Sequence, residues 1–300
     1  MPVLTDIGRL YTCPPGADPD DAGCIENSAL VWREGRVEWV GRRLDLPERY
    51  ADEPTRSASG GAVIPGLVDC HTHVVHGGDR TDEFVERLRG ISYLEIAARG
   101  GGIRSTMRAT REATPEALVS DAESRLGTML SRGVTTVESK SGYGLSVGAE
   151  VKQLQAVQAL RGRTRQRLIG TVLAAHAVPP EFDGDRAGYL DLICNEILPA
   201  VGSQSLARFS DVFVEQGAFT PDDARRVFDV SRSLGLVPRL HADQLSDMGG
   251  GALAAEVGAT SADHLEYVSD ASIRAMAAAG TIAVSLPLAT LVLDVEPLPA

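Results

Sequence analysis

The chain predicts an α/β fold: an incomplete (β/α)8, TIM-type barrel of seven strands behind a small N-terminal β-module. Three observations carry this. From residue 60 onward, apolar strand-like runs alternate with helix-period segments, the pattern of βα units on a parallel sheet. Residues 28–42, SALVWREGRVEWVGR, read instead as two short strands joined at Glu34-Gly35, with Trp32 and Trp39 supplying bulk that favours strands. Pro- and Asp-rich stretches at 14–21 and 45–54 flank that module, so the domains are drawn at 1–59 and 60–300.

The seven barrel strands are expected at 62–68, 134–138, 168–175, 211–215, 237–241, 262–265 and 281–286. Two intervening helices announce their starts. Thr114-Pro115-Glu116 and Thr220-Pro221-Asp222 each combine an N-cap, a proline at the first helical position and acid in the first turn. Gly133 and Gly235 end them, and Leu118, Ala122, Leu126, Met129 and Leu130 mark the buried face of the first.

Composition removes several functions. Lys and Arg number 29 against 41 Asp and Glu, for a net charge of -12, and with no basic run the chain is not expected to bind nucleic acid. No window approaches the ~18 apolar residues of a spanning helix, and the start lacks a signal-peptide pattern. No membrane partner is expected, and the location read from this is cytoplasmic. Cys13, Cys24, Cys70 and Cys194 form no Cys-X-X-Cys pair, which argues against a thiolate metal site or a disulfide framework and fits a reducing compartment.

The histidines point to chemistry. His71 and His73 follow the first barrel strand, and residues two apart on a strand face the same side. His176 follows strand three, His241 ends strand five and His264 lies on strand six, so five of the six histidines gather at strand C-termini, the face where barrel enzymes carry their sites. One histidine at a strand end is more often a hydrogen-bonded core or loop residue than a ligand. Five together favour a metal site, for which imidazole suits zinc or iron. Glu138 and Lys140 follow strand two and Glu215 strand four, and His76 trails the first pair.

The string VIPGLVDCHTH resembles the first-strand signature of the metal-dependent amidohydrolase superfamily. HTHVVHGGDRTDEFVERLRGISYLEIAARGGGI, ESKSGYGL, AAHAVPPEF, LHADQLSDMGG and SADHLEY resemble the imidazolonepropionases within it, up to about residue 287. The resemblance implies a barrel of the amidohydrolase kind. It also implies hydrolysis of 4-imidazolone-5-propanoate to N-formimidoyl-L-glutamate in histidine degradation, by water activated on one divalent metal ion, zinc or iron. By position His71, His73 and His241 would be the ligands, and His264 would act catalytically beside the metal and the attacking water. Arg80, Tyr143 and His176 would hold the substrate, with Tyr93 a weaker candidate for the propanoate end, and the protein would be a homodimer. A guanidinium is the natural partner of a small carboxylate-bearing substrate, and a phenol adds a hydrogen bond without charge. Gln244 stands where other members carry Glu; an amide cannot shuttle protons, so it is assigned to hydrogen bonding the substrate.

Lys140 is expected in a loop salt bridge rather than bridging two metals. Gly100-Gly101-Gly102 lacks the Lys-Ser/Thr of a phosphate loop and reads as a helix stop or close backbone approach. A closed barrel takes eight strands, and the family's strand-eight Asp has no counterpart. Asp294 follows Leu286 too closely for a parallel crossover of about a dozen residues and is expected in a loop or tail. The chain therefore reads as a shortened member, with unpaired edges on strands one and seven and weaker stability and metal binding than a full-length homologue. Two alternatives accompany this reading: an amidohydrolase or deaminase for another cyclic amide or aminated heterocycle, and an inactive homologue lacking the strand-eight acid.

Overall fold

Val3, Thr5, Ile7 and Leu10 are the buried residues of β1 (Val3–Tyr11), a strand the sequence reading did not anticipate. Its buried set alternates through Val3, Thr5 and Ile7 and then slips by one residue to Leu10, which blurs the period-2 signal. The computed structural model describes residues 2–18, 20–91 and 93–298, with the side chains of 93, 94 and 97 outside the description. Two units divide the chain, Met1–Leu67 and Val68–Ala300.

In the first unit β1 pairs antiparallel with β2 (Cys24–Arg33), and β2 pairs antiparallel with β3 (Arg36–Arg42). The anticipated turn is present, with Glu34 at φ 49° and Gly35 at φ 75°, the pair of positive φ values a two-residue hairpin loop requires. β4 (Thr55–Ser57) and β5 (Ala62–Val63) join β1 in parallel. Val3, Val31 and Tyr50 form the small core, with Trp39 and Leu46 against it.

The strand expected at 62–68 is two strands. Ala62 and Val63 pair with Arg9 and Leu10 of β1, and β6 (Leu67–Asp69) begins the second sheet. Pro65 lies in the break, lacking the N–H a ladder needs, so the units part after Leu67 rather than at residue 59.

The second unit continues with β7 (Val134–Lys140), β8 (Arg167–Ala175), β9 (Phe209–Val214), β10 (Val237–Ala242), β11 (Ser261–His264) and β12 (Ile282–Val284). The seven strands lie side by side in chain order from β6 to β12, and β7 to β12 pair in parallel. This is the sheet of a TIM-type barrel, with β6 and β12 ending the row among the described residues. Helices α1 (Thr81–Leu88), α2 (Tyr93–Ala98), α3 (Ile103–Glu112) and α4 (Pro115–Ser131) separate β6 from β7. Then come α5 (Val147–Leu160), α6 (Arg186–Leu192), α7 (Leu198–Ser203), α8 (Pro221–Ser233), α9 (Gly250–Glu256) and α10 (Asp270–Ala279), with α11 (Pro287–Leu293) after β12.

Local sequence sets these helices as expected. The Thr114 hydroxyl accepts from the Ala117 N–H, and Thr220 and Asp223 form a reciprocal capping box. Leu118, Ala122 and Leu126 are buried, and strand residues Val172, Val212, Leu240 and Ala262 pack in one cluster with Leu154, Val227, Phe228 and Leu253 from the helices. Each such large side chain contributes about 1.5–3 kcal/mol by leaving water. At the triple glycine a Cβ on Gly101 would lie 2.6 Å from Ile96 Cγ2 and 2.9 Å from Ile96 O, and Gly102 is the N-cap of α3 at φ 63°. Both readings of that segment therefore hold. Asp294 ends α11 in a left-handed turn at φ 56°, off the sheet. No helix among the described residues is long and apolar enough to cross a membrane.

Candidate active site

Strand β7 fixes the His71-Thr72-His73 segment. Lys140 donates its backbone N–H to Thr72 O at 2.8 Å, and the Thr72 hydroxyl donates to Glu138 O at 2.7 Å. His176 lies one residue past β8, His241 within β10, and His264 is the last residue of β11. The backbone there is unusual, with φ 82° at His264 and 70° at Leu265, a region that costs free energy for non-glycine residues and recurs where function constrains the chain. All eight predicted site residues line one cavity of about 420 Å³.

Five imidazoles crowd that cavity. Ring centroids are 4.5 Å apart for His71 and His241, 5.2 Å for His71 and His264, and 5.1 Å for His241 and His264. His73 stacks on His176 at 5.0 Å. Among the described residues two sets bring their ligand atoms within 4.8 Å of one another, His71 with His241 and His264, and His73 with His176 and His241. The predicted trio His71, His73 and His241 spans both sets, which share His241. His73 leans toward its set because its Nδ1 is 3.1 Å from Ser141 O, beside the Gly142 carbonyl that takes His176 Nδ1 at 3.0 Å.

Burial keeps His71, His73, His176 and His264 neutral. It pushes His71 down to about 3, with the Lys140 ammonium adding to the effect, and His176 to about 3. His264 falls to about 2, and His73 is likewise held well below the ordinary value, first by burial. The folded chain therefore binds fewer protons than the unfolded one between about 3 and the ordinary 6.5, so stability rises with pH across that window. The metal-free protein is expected to show a urea midpoint that falls steadily on acidification from pH 6.5 toward 3; a flat midpoint would contradict neutral rings.

Around the rings lie charges the sequence reading did not assign. His71 Nδ1 is 2.6 Å from Asp263 Oδ2, and His241 Nδ1 is 3.0 Å from Asp211 Oδ2. Lys140 corrects its own expectation: it lies on β7, wholly buried, with Nζ 2.7 Å from Asp211 and 3.0 Å from Glu138. The loop reading failed because β7 runs two residues past its expected end. Burial alone would raise Asp263, but the Lys140 ammonium, the His71 hydrogen bond and Arg239 hold it well below the usual carboxylate range. A signal for Glu138, Lys140, Arg239 and Asp263 was present in the sequence, though none for Asp211. The i, i+2 rule that pairs His71 with His73 also pairs Glu138 with Lys140, Arg239 with His241, and Ser261 with Asp263.

Arg80 and Tyr143 meet at the cavity. Arg80 Nη2 donates to the Tyr143 hydroxyl at 3.2 Å, and its Nε to Thr106 Oγ1 at 2.8 Å. The loop carrying Tyr143 is tied down by buried Glu150, which accepts the N–H groups of Gly142, Gly144 and Leu145. Gln244 lines the cavity, and the next residue is anchored by Glu215, which takes the Leu245 N–H at 2.8 Å. The Tyr93 side chain lies outside the described residues.

The donor set fits a divalent metal. On His71, His73, His176 and His241 the Nδ1 atom faces an oxygen acceptor, leaving Nε2 as the free lone pair of a neutral ring. The Nδ1 of His264 is buried with no hydrogen-bond partner among the described residues, Glu266 Oε2 lying 3.9 Å away. Such a set can bind a borderline metal and leave a position open for hydrolysis.

No family model matches the chain. It is 50% identical to the imidazolonepropionase of Erwinia tasmaniensis over 265 residues, 88% of this chain and 65% of that one. To the imidazolonepropionase of Acidiphilium cryptum it is 48% identical over 285 residues, 95% of this chain and 70% of that one. The chain thus spans about two thirds of the length of these curated relatives. Among solved structures it resembles 5-methylcytosine deaminase from Klebsiella pneumoniae, with a TM-score of 0.68, 17% identity, and coverage of 97% of this chain and 67% of the other. It also resembles a variant of atrazine chlorohydrolase from Arthrobacter aurescens complexed with zinc and atraton, with a TM-score of 0.63, 14% identity, and coverage of 98% and 67%. At these identities the structural likeness establishes the fold alone.

Proposed function

The chain belongs to the imidazolonepropionase family, and on that premise we propose that it opens the ring of 4-imidazolone-5-propanoate with water to give N-formimidoyl-L-glutamate. The observation that carries this reading is the Arg80–Tyr143 pair at the rim of a five-histidine cavity. A guanidinium beside a phenol suits the propanoate carboxylate, while the stacked His73 and His176 rings offer a flat wall for the imidazolone.

His71, His73 and His241 would hold one divalent metal, with His264 beside it. The metal would supply a Lewis acid for the ring carbonyl and lower the pKa of water toward ~7. Neutral His264 would offer a ring nitrogen to hydrogen bond the attacking water. Gln244 supplies a hydrogen bond to the substrate and no proton. Zinc, the metal in the atrazine chlorohydrolase structure, is the first to test, and iron the second. A homodimer in the cytoplasm belongs to the same reading. Sedimentation tests the dimer.

The direct test adds the chain and Zn²⁺ or Fe²⁺ to imidazolonepropanoate and follows the loss of imidazolone absorbance. No loss with either metal would sink the proposal. Arg80→Met is expected to raise KM by about tenfold or more with a smaller change in kcat, because a charged hydrogen bond to a carboxylate is worth about 1.5–3 kcal/mol.

A further inference from the structure

We propose that Asp263 and Asp211 are positioning residues that fix His71 and His241 as Nδ1–H tautomers with Nε2 free for metal, and that buried Lys140 ties the two carboxylates into one unit. The clause about metal rests on the proposed function; the tautomers follow from contacts present in the metal-free chain.

The geometry separates the five imidazoles into kinds. His73 and His176 set Nδ1 against the carbonyls of Ser141 and Gly142, neutral acceptors. His71 and His241 set theirs against carboxylates, His71 at 2.6 Å from Asp263 Oδ2 and His241 at 3.1 and 3.0 Å from the two Asp211 oxygens. An ionised carboxylate accepts and cannot donate, so the ring proton must sit on Nδ1. The negative charge behind it also makes Nε2 a stronger donor to a metal.

Neither aspartate is free to turn away. Asp263 also takes the Arg239 guanidinium on both oxygens, at 3.2 and 2.9 Å, and the Ser261 hydroxyl at 2.6 Å. Asp211 takes the backbone N–H of His241 at 3.1 Å. Lys140 Nζ lies 2.7 Å from Asp211 Oδ2 and 3.4 Å from Asp263 Oδ2, and all three side chains are 0% exposed. With Glu138, three carboxylates face two cations, Lys140 and Arg239. The surplus carboxylate charge sits directly behind the two rings, where it favours a bound cation.

The first test needs no substitution. Long-range ¹H–¹⁵N correlation spectra of the metal-free chain are expected to show His71 and His241 as Nδ1–H tautomers; an Nε2–H tautomer at either ring overturns the proposal. The second measures Co²⁺ binding, by chelator competition and by visible d–d absorption, in the wild type, Asp263→Asn and Asp211→Asn, with Asp222→Asn on the exposed start of α8 as control. Each buried variant is expected to bind Co²⁺ about ten- to a hundredfold more weakly with a shifted spectrum, and the control to match the wild type. Folded variants with wild-type affinity and spectrum overturn the positioning role while leaving metal binding intact. A wild type that takes up no Co²⁺ overturns the metal reading, and the tautomers then decide the positioning alone. If a buried variant does not fold, the wild-type tautomers again decide.

Discussion

His241→Ala is expected to weaken Zn²⁺ binding by more than about a hundredfold, the upper range for losing even an outer partner of a metal ligand, and to abolish measurable imidazolone turnover. His241 is the one residue common to both close histidine sets, so its loss removes a donor from whichever set the metal uses. Two further variants separate the sets. His73→Ala is expected to lose metal along with activity, whereas His264→Ala is expected to keep the metal and lose turnover. Chelator competition on each folded variant, paired with turnover, reads this directly. The reverse pattern would move the metal to the set of His71, His241 and His264.

Lys140→Met is expected to cost about 3–5 kcal/mol of stability, the penalty for leaving buried charge without its partner. That is a large share of the roughly 5–15 kcal/mol that holds a domain together. The ammonium lies within 3.0 Å of both Asp211 and Glu138, and none of the three has appreciable access to water. Methionine keeps the length and apolar stem of the side chain, so the loss would measure charge rather than volume. Urea denaturation followed by far-UV circular dichroism gives the number, and an unchanged midpoint would mean that the carboxylates are neutralised some other way. Burial raises Glu138 against the pull of Lys140 and Arg239; without Lys140 its uptake of a proton offsets part of the cost, which should make the loss of stability relative to the wild type smaller at pH 5 than at pH 8.

The contrast between helices and strands shows how far local sequence reaches. Thr114 and Thr220 announce their helices because a cap, a proline and an acid act within a single turn, and the structure shows both caps made. β1 escapes recognition because its buried set slips by one residue between Ile7 and Leu10, which interrupts the alternation on which strand recognition depends. The run at 62–68 looked like one strand because its apolar residues are continuous. Its division between two sheets turns on pairing with Arg9 and Leu10, more than fifty residues earlier in the chain.

The same boundary runs through the site. Sequence alone determined the family-bearing motifs and the alternation of βα units. It also determined the arrival of His71, His73, His176, His241 and His264 at strand C-termini, because each follows from short-range pattern. Only the tertiary structure decided which imidazoles lie close to one another and that His71 is backed by Asp263, 192 residues away. It likewise placed Lys140 inside the sheet between two aspartates. A strand's own sequence sets which side chains share a face, but the neighbour each one meets depends on the order and register of strands closed by loops and helices, and that information is not local.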